Sequence, residues 1–171
     1  MIWILIVPGC ILGLLGVAII AGMLLPRDHL ARMTLSVNAP ADRVWALVSD
    51  VAGTARWRAD IQKVEVQSAP GEPVRFVETS KQGAIPFVVV SQEAPRRQVV
   101  RVVDEGLPFG GIWTWEIQPE GTGTRLTIEE AGFIRNPLFR VMAKLFFPPT
   151  ATMSTYLRAL AKELGEKAEP Q

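Results

Sequence analysis

Few residues in this chain of 171 could carry chemistry, and the histidine and cysteine count narrows them at once. His29 is the single histidine and Cys10 the single cysteine. A Ser–His–Asp or Cys–His nucleophile needs a histidine beside it, and a zinc centre needs several nitrogen or sulfur ligands. Neither can be assembled from one histidine at the edge of an apolar segment. Cys10 cannot close an internal disulfide, and the lipoprotein-like box Val7-Pro8-Gly9-Cys10 lacks the basic lead of an export signal, so Cys10 reads as a packing residue. No metal or cofactor is expected. Acid–base work would fall to Asp, Glu, Lys or Tyr156.

Glu130 is the first carboxylate to consider. In the strand-like run 124–131, Leu126 and Ile128 share its face while Arg125, Thr127 and Glu129 take the other. A carboxylate turned inward with them would have a raised pKa and could serve as acid, base or ligand partner. The alternative is that it sits at the sheet's end and reaches water or an arginine. Trp113 and Trp115 alternate onto one face with Ile117, where they could floor a pocket for a flat apolar ligand or fill the core. Phe76 and Phe87 are strand residues of undecided facing, with Pro86 suggesting an edge or a bulge. Met153 and Tyr156 lie on the apolar stripe of the last helix, Tyr156 being the one with a hydroxyl. Phe146 and Phe147 cannot both face one core and are read as a hydrophobic lip, or portal, near a pocket mouth. Trp45 and Trp57 are expected to fasten short helices to a sheet.

The elements that must position these residues follow from periodicity. Residues 1–25 contain no charge, and at ~1.5 Å per residue a helix here would run roughly 37 Å, enough for a bilayer core of about 30 Å. A transmembrane helix is expected rather than a cleavable signal peptide, which would carry a basic start and a shorter apolar core. Arg27 and Arg32 follow it, so the positive-inside tendency puts the folded domain in the cytoplasm. Gly9 and Gly13 form a G-x-x-x-G through which two such helices could pair as a homodimer. Residues 26–30 read as a linker too short to let the domain leave the membrane surface. Residues 31–167 form one domain and 168–171 a frayed tail. A net charge of +1, from 18 Lys and Arg against 17 Asp and Glu, offers nothing for nucleic acid.

Within the domain, Leu35 to Val66 reads as a strand, an amphipathic helix carrying Val44, Trp45, Leu47 and Val48, a helical turn with Trp57, and an outgoing strand. Pro40 suits the first turn of that helix and Asp50 can cap the next. Strand-like segments bounded by Gly and Pro turns then follow in a row, as in an antiparallel meander. Helical spacing returns at Leu138 and continues to Leu164, interrupted by Pro148 and Pro149, where a kink or break is expected.

The pattern V-x-A-P-x-x-x-V-W-x-L, followed by S-D and W-R, resembles the opening of the START-like (SRPBCC) superfamily, which holds polyketide cyclases and dehydrases and lipid-transfer domains. The resemblance implies an α+β helix-grip fold: a curved, seven-stranded antiparallel sheet wrapping a long C-terminal helix with a cavity between them. It also implies a hydrophobic small molecule, such as a lipid, quinone or polyketide-like compound, as the partner of a membrane-tethered binding module. The alternatives are a cyclase-like enzyme, with Glu130 and Tyr156 as its first pair to test, and an accessory protein docking to a membrane partner.

Overall fold

The computed structural model describes residues 3–146 and 148–171, and the side chains of all of these except residues 3–9 and 11. Helix α1 (Trp3–Leu24) is followed by β1 (Asp28–Val37), α2 (Ala41–Ser49), α3 (Thr54–Trp57), β2 (Ile61–Val66) and β3 (Arg75–Ser80). Then come β4 (Gly83–Glu93), β5 (Arg97–Val102), β6 (Phe109–Glu120), β7 (Gly123–Ile134), α4 (Pro137–Phe146) and α5 (Pro149–Glu163). The seven strands form one antiparallel sheet in the order β1-β7-β6-β5-β4-β3-β2. This is the expected α+β helix-grip arrangement, with β1 returning to pair with the last strand. Its first strand begins at Asp28, inside the stretch read as linker, so the junction after α1 is shorter than expected.

Alternation decides which side chains face the grip. Leu35 and Val37 on β1, Ile117 on β6, and Leu126 and Ile128 on β7 are buried against Val44 and Val48 of α2 and against Met153, Leu157 and Leu160 of α5. Odd-numbered neighbours on β7 face outward, where Glu129 pairs with Arg32 at 3.1 Å. The turn after α2 is fixed as expected: the Gly53 N–H donates to Asp50 Oδ1 at 3.0 Å. Pro86, however, stands in an interior strand. The irregularity in β4 lies between Val89 and Ser91, and Pro86 itself faces the point where β5 ends, accepting from the Val103 N–H at 3.0 Å.

Of the kink or break expected at the double proline, the structure has the break: Pro148 precedes α5 in extended conformation and Pro149 opens its first turn, where a missing N–H costs nothing. Only α5 is gripped by the sheet; α4 has no buried residue. The tail is not frayed. Thr34 and Gln171 exchange backbone hydrogen bonds at 2.8 and 2.9 Å, so the last residues cover the exposed edge of β1. Glu166, read as part of a solvated face, accepts from the Asn38 and Ala39 N–H groups at 2.9–3.1 Å. Glu166→Ala is expected to cost about 1–2 kcal/mol, with Glu166→Gln recovering part of it, measured by denaturant unfolding in mild detergent.

Helix α1 is docked at one end. The Arg140 guanidinium of α4 donates to the Gly22 and Leu25 carbonyls at 3.0 and 3.2 Å, closing off groups that a helix C-terminus leaves unpaired. Gly22 lies so close to α4 that a Cβ there would collide with the Pro137 carbonyl. Gly22→Ala is therefore expected to separate the two helices, read as faster trypsin cleavage after Arg27. Further back, Leu12, Leu14, Val17 and Ile20 are exposed and Gly13 faces open space, while the surroundings of Gly9 fall outside the described side chains. Counted over the described residues, no helix is long and apolar enough to cross a membrane.

Candidate functional site

The expected hollow between sheet and α5 exists, but it is small and its floor is ionic. Its volume is about 80 Å³, against ~300–1,000 Å³ for pockets that enclose a drug-sized ligand. Trp113 and Trp115 from β6 and Tyr156 from α5 line it, together with Phe76 and Phe87. Arg58, just after α3, and Glu78 on β3 complete the floor, and Thr152 in the first turn of α5 stands exposed at the rim.

Strand alternation and cross-strand pairing bring these groups together. Phe76 and Phe87 are opposite each other in register and stack with centroids 5.3 Å apart. Glu78 follows Phe76 by two residues and so shares its face. The indole of Trp115 lies 5.7 Å from that of Trp113 and 5.8 Å from the Tyr156 ring, and Trp57 meets Tyr156 edge-on at 5.2 Å. The Arg58 guanidinium lies over the Tyr156 ring at 5.2 Å, within cation–π range.

Arg58 is 7% exposed. Burial works against its charge, but Glu78 and Asp60 outweigh that and hold the guanidinium above its ordinary pKa. It donates from Nη1 to both Glu78 oxygens at 3.2 and 3.3 Å and from Nη2 to Asp60 Oδ2 at 2.7 Å. For Glu78 the balance goes the other way: burial, helped by Asp60, raises its pKa despite Arg58. Burial likewise pushes the Tyr156 hydroxyl well above the ordinary phenol value. Tyr156 therefore stays a neutral hydroxyl at physiological pH.

One polar atom in the site has no partner. The Trp115 indole N–H is close enough to the Tyr156 hydroxyl to favour its ionised form, yet it does not meet hydrogen-bond geometry and is buried unsatisfied. An unpaired buried donor costs about 1–3 kcal/mol, and the residue that carries it lines the cavity. By contrast Gln98, also lining the cavity, is already engaged, donating to the Val48 carbonyl at 3.0 Å and accepting from Gln92 at 2.6 Å.

Five of the residues proposed from sequence thus converge on the cavity: Trp113, Trp115, Tyr156, Phe76 and Phe87. Met153 faces the sheet as expected but is fully enclosed in the core beside the cavity. Glu130 does not reach it. It points inward in register with Trp113, yet it lies towards the end of β7, where its carboxylate is 3.3 Å from His29 Nε2. Phe146 ends α4 exposed and does not line the cavity, and Phe147 lies outside the described residues. The residues missed were Arg58, Glu78 and Asp60. Glu78 carried the same signal that drew attention to Glu130, a carboxylate alternating onto an apolar face, and Arg58 belongs to the W-R of the opening pattern.

The polyketide cyclase / dehydrase and lipid transport family matches residues 29–169. The chain belongs to that family. Its fold also matches solved structures of low sequence identity. The aromatase/cyclase Zhui from Streptomyces sp. R1128 superposes with a TM-score of 0.66 at 15% identity, covering 81% of this chain and 94% of that one. Norcoclaurine synthase from Thalictrum flavum, in complex with dopamine and hydroxybenzaldehyde, gives 0.64 at 15% identity over 82% and 88%. The di-domain aromatase/cyclase BexL gives 0.65 at 15% over 83% of this chain, which spans about half (52%) of that protein. Among curated proteins no sequence matches this one. At such identity the likeness establishes the fold alone.

Proposed function

We propose that this family member is a membrane-tethered binding module for a flat, largely apolar small molecule bearing a hydrogen-bond acceptor, of the quinone, polyketide-like or lipid class. The observation that carries the reading is the unsatisfied Trp115 N–H, buried between Trp113 and Tyr156 at a cavity floored by Arg58 and Glu78. The aromatic walls hold an apolar face, and the N–H and the neutral Tyr156 hydroxyl orient an oxygen. A cavity of about 80 Å³ accommodates one end of such a molecule, the remainder passing the rim at Thr152. The tether would be α1, 22 residues without a charge whose leucines, valine and isoleucines are exposed among the described side chains, although over the described residues it falls short of a membrane span. With Arg27 and Arg32 just after the helix, the positive-inside tendency favours a cytoplasmic domain.

Mass spectrometry of an organic extract from the full chain, purified in mild detergent, tests this. A stoichiometric oxygen-bearing apolar molecule, lost in Trp115→Phe, is the expected result; an extract holding only bulk lipid in wild type would count against it.

A second reading, an enzyme of the cyclase or dehydrase kind, is favoured by one arrangement. Glu78, its pKa raised by burial, shares the cavity with Arg58 and Tyr156, a combination able to move a proton. If it holds, wild-type and Glu78→Gln extracts contain molecules that differ in mass or, for a ring closure that conserves mass, in chromatographic retention, substrate accumulating in the variant. Molecules identical in both respects leave the binding reading.

A further inference from the structure

Glu130, which the cavity leaves aside, meets the chain's single histidine on the same face of the sheet. Odd-numbered residues of β1 face the grip, Leu35 and Val37 within the core and Ala31 and Met33 packed against it, so His29 points the same way. Its register partner on β7 is Gly132, where a Cβ would collide with His29 Nε2. The missing side chain lets the imidazole lie down on that strand and bring Nε2 to 3.3 Å from Glu130 Oε1.

What the pair leaves unused says what it can hold. A carboxylate only accepts, so the proton between the two belongs to Nε2, and in the neutral imidazole Nδ1 is then an acceptor as well. Neither Nδ1 nor Glu130 Oε2 has a partner among the described residues, and neither is sealed from solvent. The side chains are 27% and 19% exposed, and His29 also borders an open hollow of about 470 Å³. The pair thus presents acceptors, whereas Trp115 and Tyr156 bring donors to the cavity.

The two sets are neighbours. Glu130 stands opposite Trp113, the cavity wall, with their Cβ atoms about 5 Å apart. Trp115 pairs with Ile128, two residues short of Glu130, so at ~3.4 Å per residue and ~4.8 Å per strand Trp115 and Glu130 are roughly 8 Å apart along the sheet. Helix α5 passes Thr152, across the cavity from Trp113, and ends short of Glu166, whose carboxylate holds Asn38 just past the far end of β1. The His29 and Glu130 pair therefore lies at the end of the grip where α5 begins and the rim opens.

We infer that Glu130, held by His29, is a second polar subsite for the same ligand, accepting a hydrogen bond from a hydroxyl on the part that protrudes from the cavity. The inference rests on the binding reading above and deepens it: the site selects a ketone or quinone whose far end carries a hydroxyl over one whose far end is bare hydrocarbon.

Calorimetric titration of the full chain in mild detergent tests this with two rigid probes, acetylbiphenyl and its analogue with a hydroxyl on the far ring, at the end opposite the carbonyl. The readout is the ratio of the two affinities within each protein, so that partition into micelles cancels between proteins. The preference for the hydroxylated probe is expected to be about tenfold larger in wild type than in Glu130→Leu, the range of a hydrogen bond to a charged acceptor, with a smaller fall in His29→Phe, which leaves the carboxylate unoriented. Should Glu130→Leu lower the unfolding midpoint, Glu130→Gln is read in its place, where a several-fold fall is expected. A ratio equal to wild type in the Glu130 variant overturns the subsite, and saturable binding of acetylbiphenyl itself then leaves the cavity standing. Binding of neither probe to wild type removes cavity and subsite together.

Discussion

Arg58→Met is expected to destabilise the domain by about 3–5 kcal/mol at neutral pH, because it leaves Glu78 buried with its charge uncompensated. The guanidinium is almost wholly enclosed and is shared by two carboxylates and the Tyr156 ring, so its loss removes all of these contacts at once. Pairing the change with Glu78→Leu should return most of the loss, since what is costly is the orphaned charge rather than the missing pair. The pH dependence has a definite sign. Glu78 has a folded-state pKa above its ordinary 4.5, so between 4.5 and that raised value the folded state binds more protons than the unfolded one. Its contribution to stability therefore grows as pH falls through the raised value and is lost as pH rises through it. In Arg58→Met the attraction that partly opposed burial is gone, so the deficit relative to wild type should shrink on acidification towards pH 4.5. Denaturant unfolding of wild type, single and double variants over that range measures all three; a deficit that stays constant with pH would mean that Glu78 is not the orphaned group.

Trp115→Ala is the second large effect, expected to cost about 3–5 kcal/mol, with Trp113→Ala costing roughly half as much. Trp115 is 8% exposed and touches Trp113 and Tyr156, whereas Trp113 is only partly buried at the cavity's side. Packing and ligand contact are thus not alternatives for this pair: Trp115 is both core and floor, Trp113 mainly wall. Trp115→Phe separates the two roles. It removes the unsatisfied N–H, which relieves part of the cost of the smaller ring in the empty protein, while a bound acceptor loses its donor. Unfolding free energies near wild type combined with weakened ligand retention are the expected pair of results.

The difference between what could and could not be read from the chain has a physical pattern. Alternation along a strand is a local property, so the facing of Trp113, Trp115 and Ile117, and of Leu126, Ile128 and Glu130, followed directly from sequence. How far along the sheet a residue sits is a property of register. Glu130 has the right face and the wrong position, because β7 runs on to Ile134 and carries it past the cavity towards His29. The Arg58–Glu78–Asp60 cluster joins a turn to a strand across the sheet's far edge, and no periodicity links positions so separated. The double proline at 148–149 announced an interruption but not its consequence, since whether a helix bends or divides depends on what each half packs against. Here only α5 has a sheet to pack on. The tail was misjudged for a related reason: Gln171 gains its backbone partner from β1, which no feature of the last residues announces.

All of this turns on whether a guest enters between the sheet and α5. The direct measurement is quenching of the tryptophan fluorescence to which Trp113 and Trp115 contribute, in the full chain titrated with a short-chain quinone, comparing wild type with Thr152→Phe, which narrows the rim from an exposed position and adds no fluorophore of the same kind. Saturable one-to-one quenching in wild type, weakened more than tenfold in Thr152→Phe at unchanged unfolding free energy, is the expected result. Equal titrations in the two proteins, or none in either, would contradict a cavity that takes up ligand.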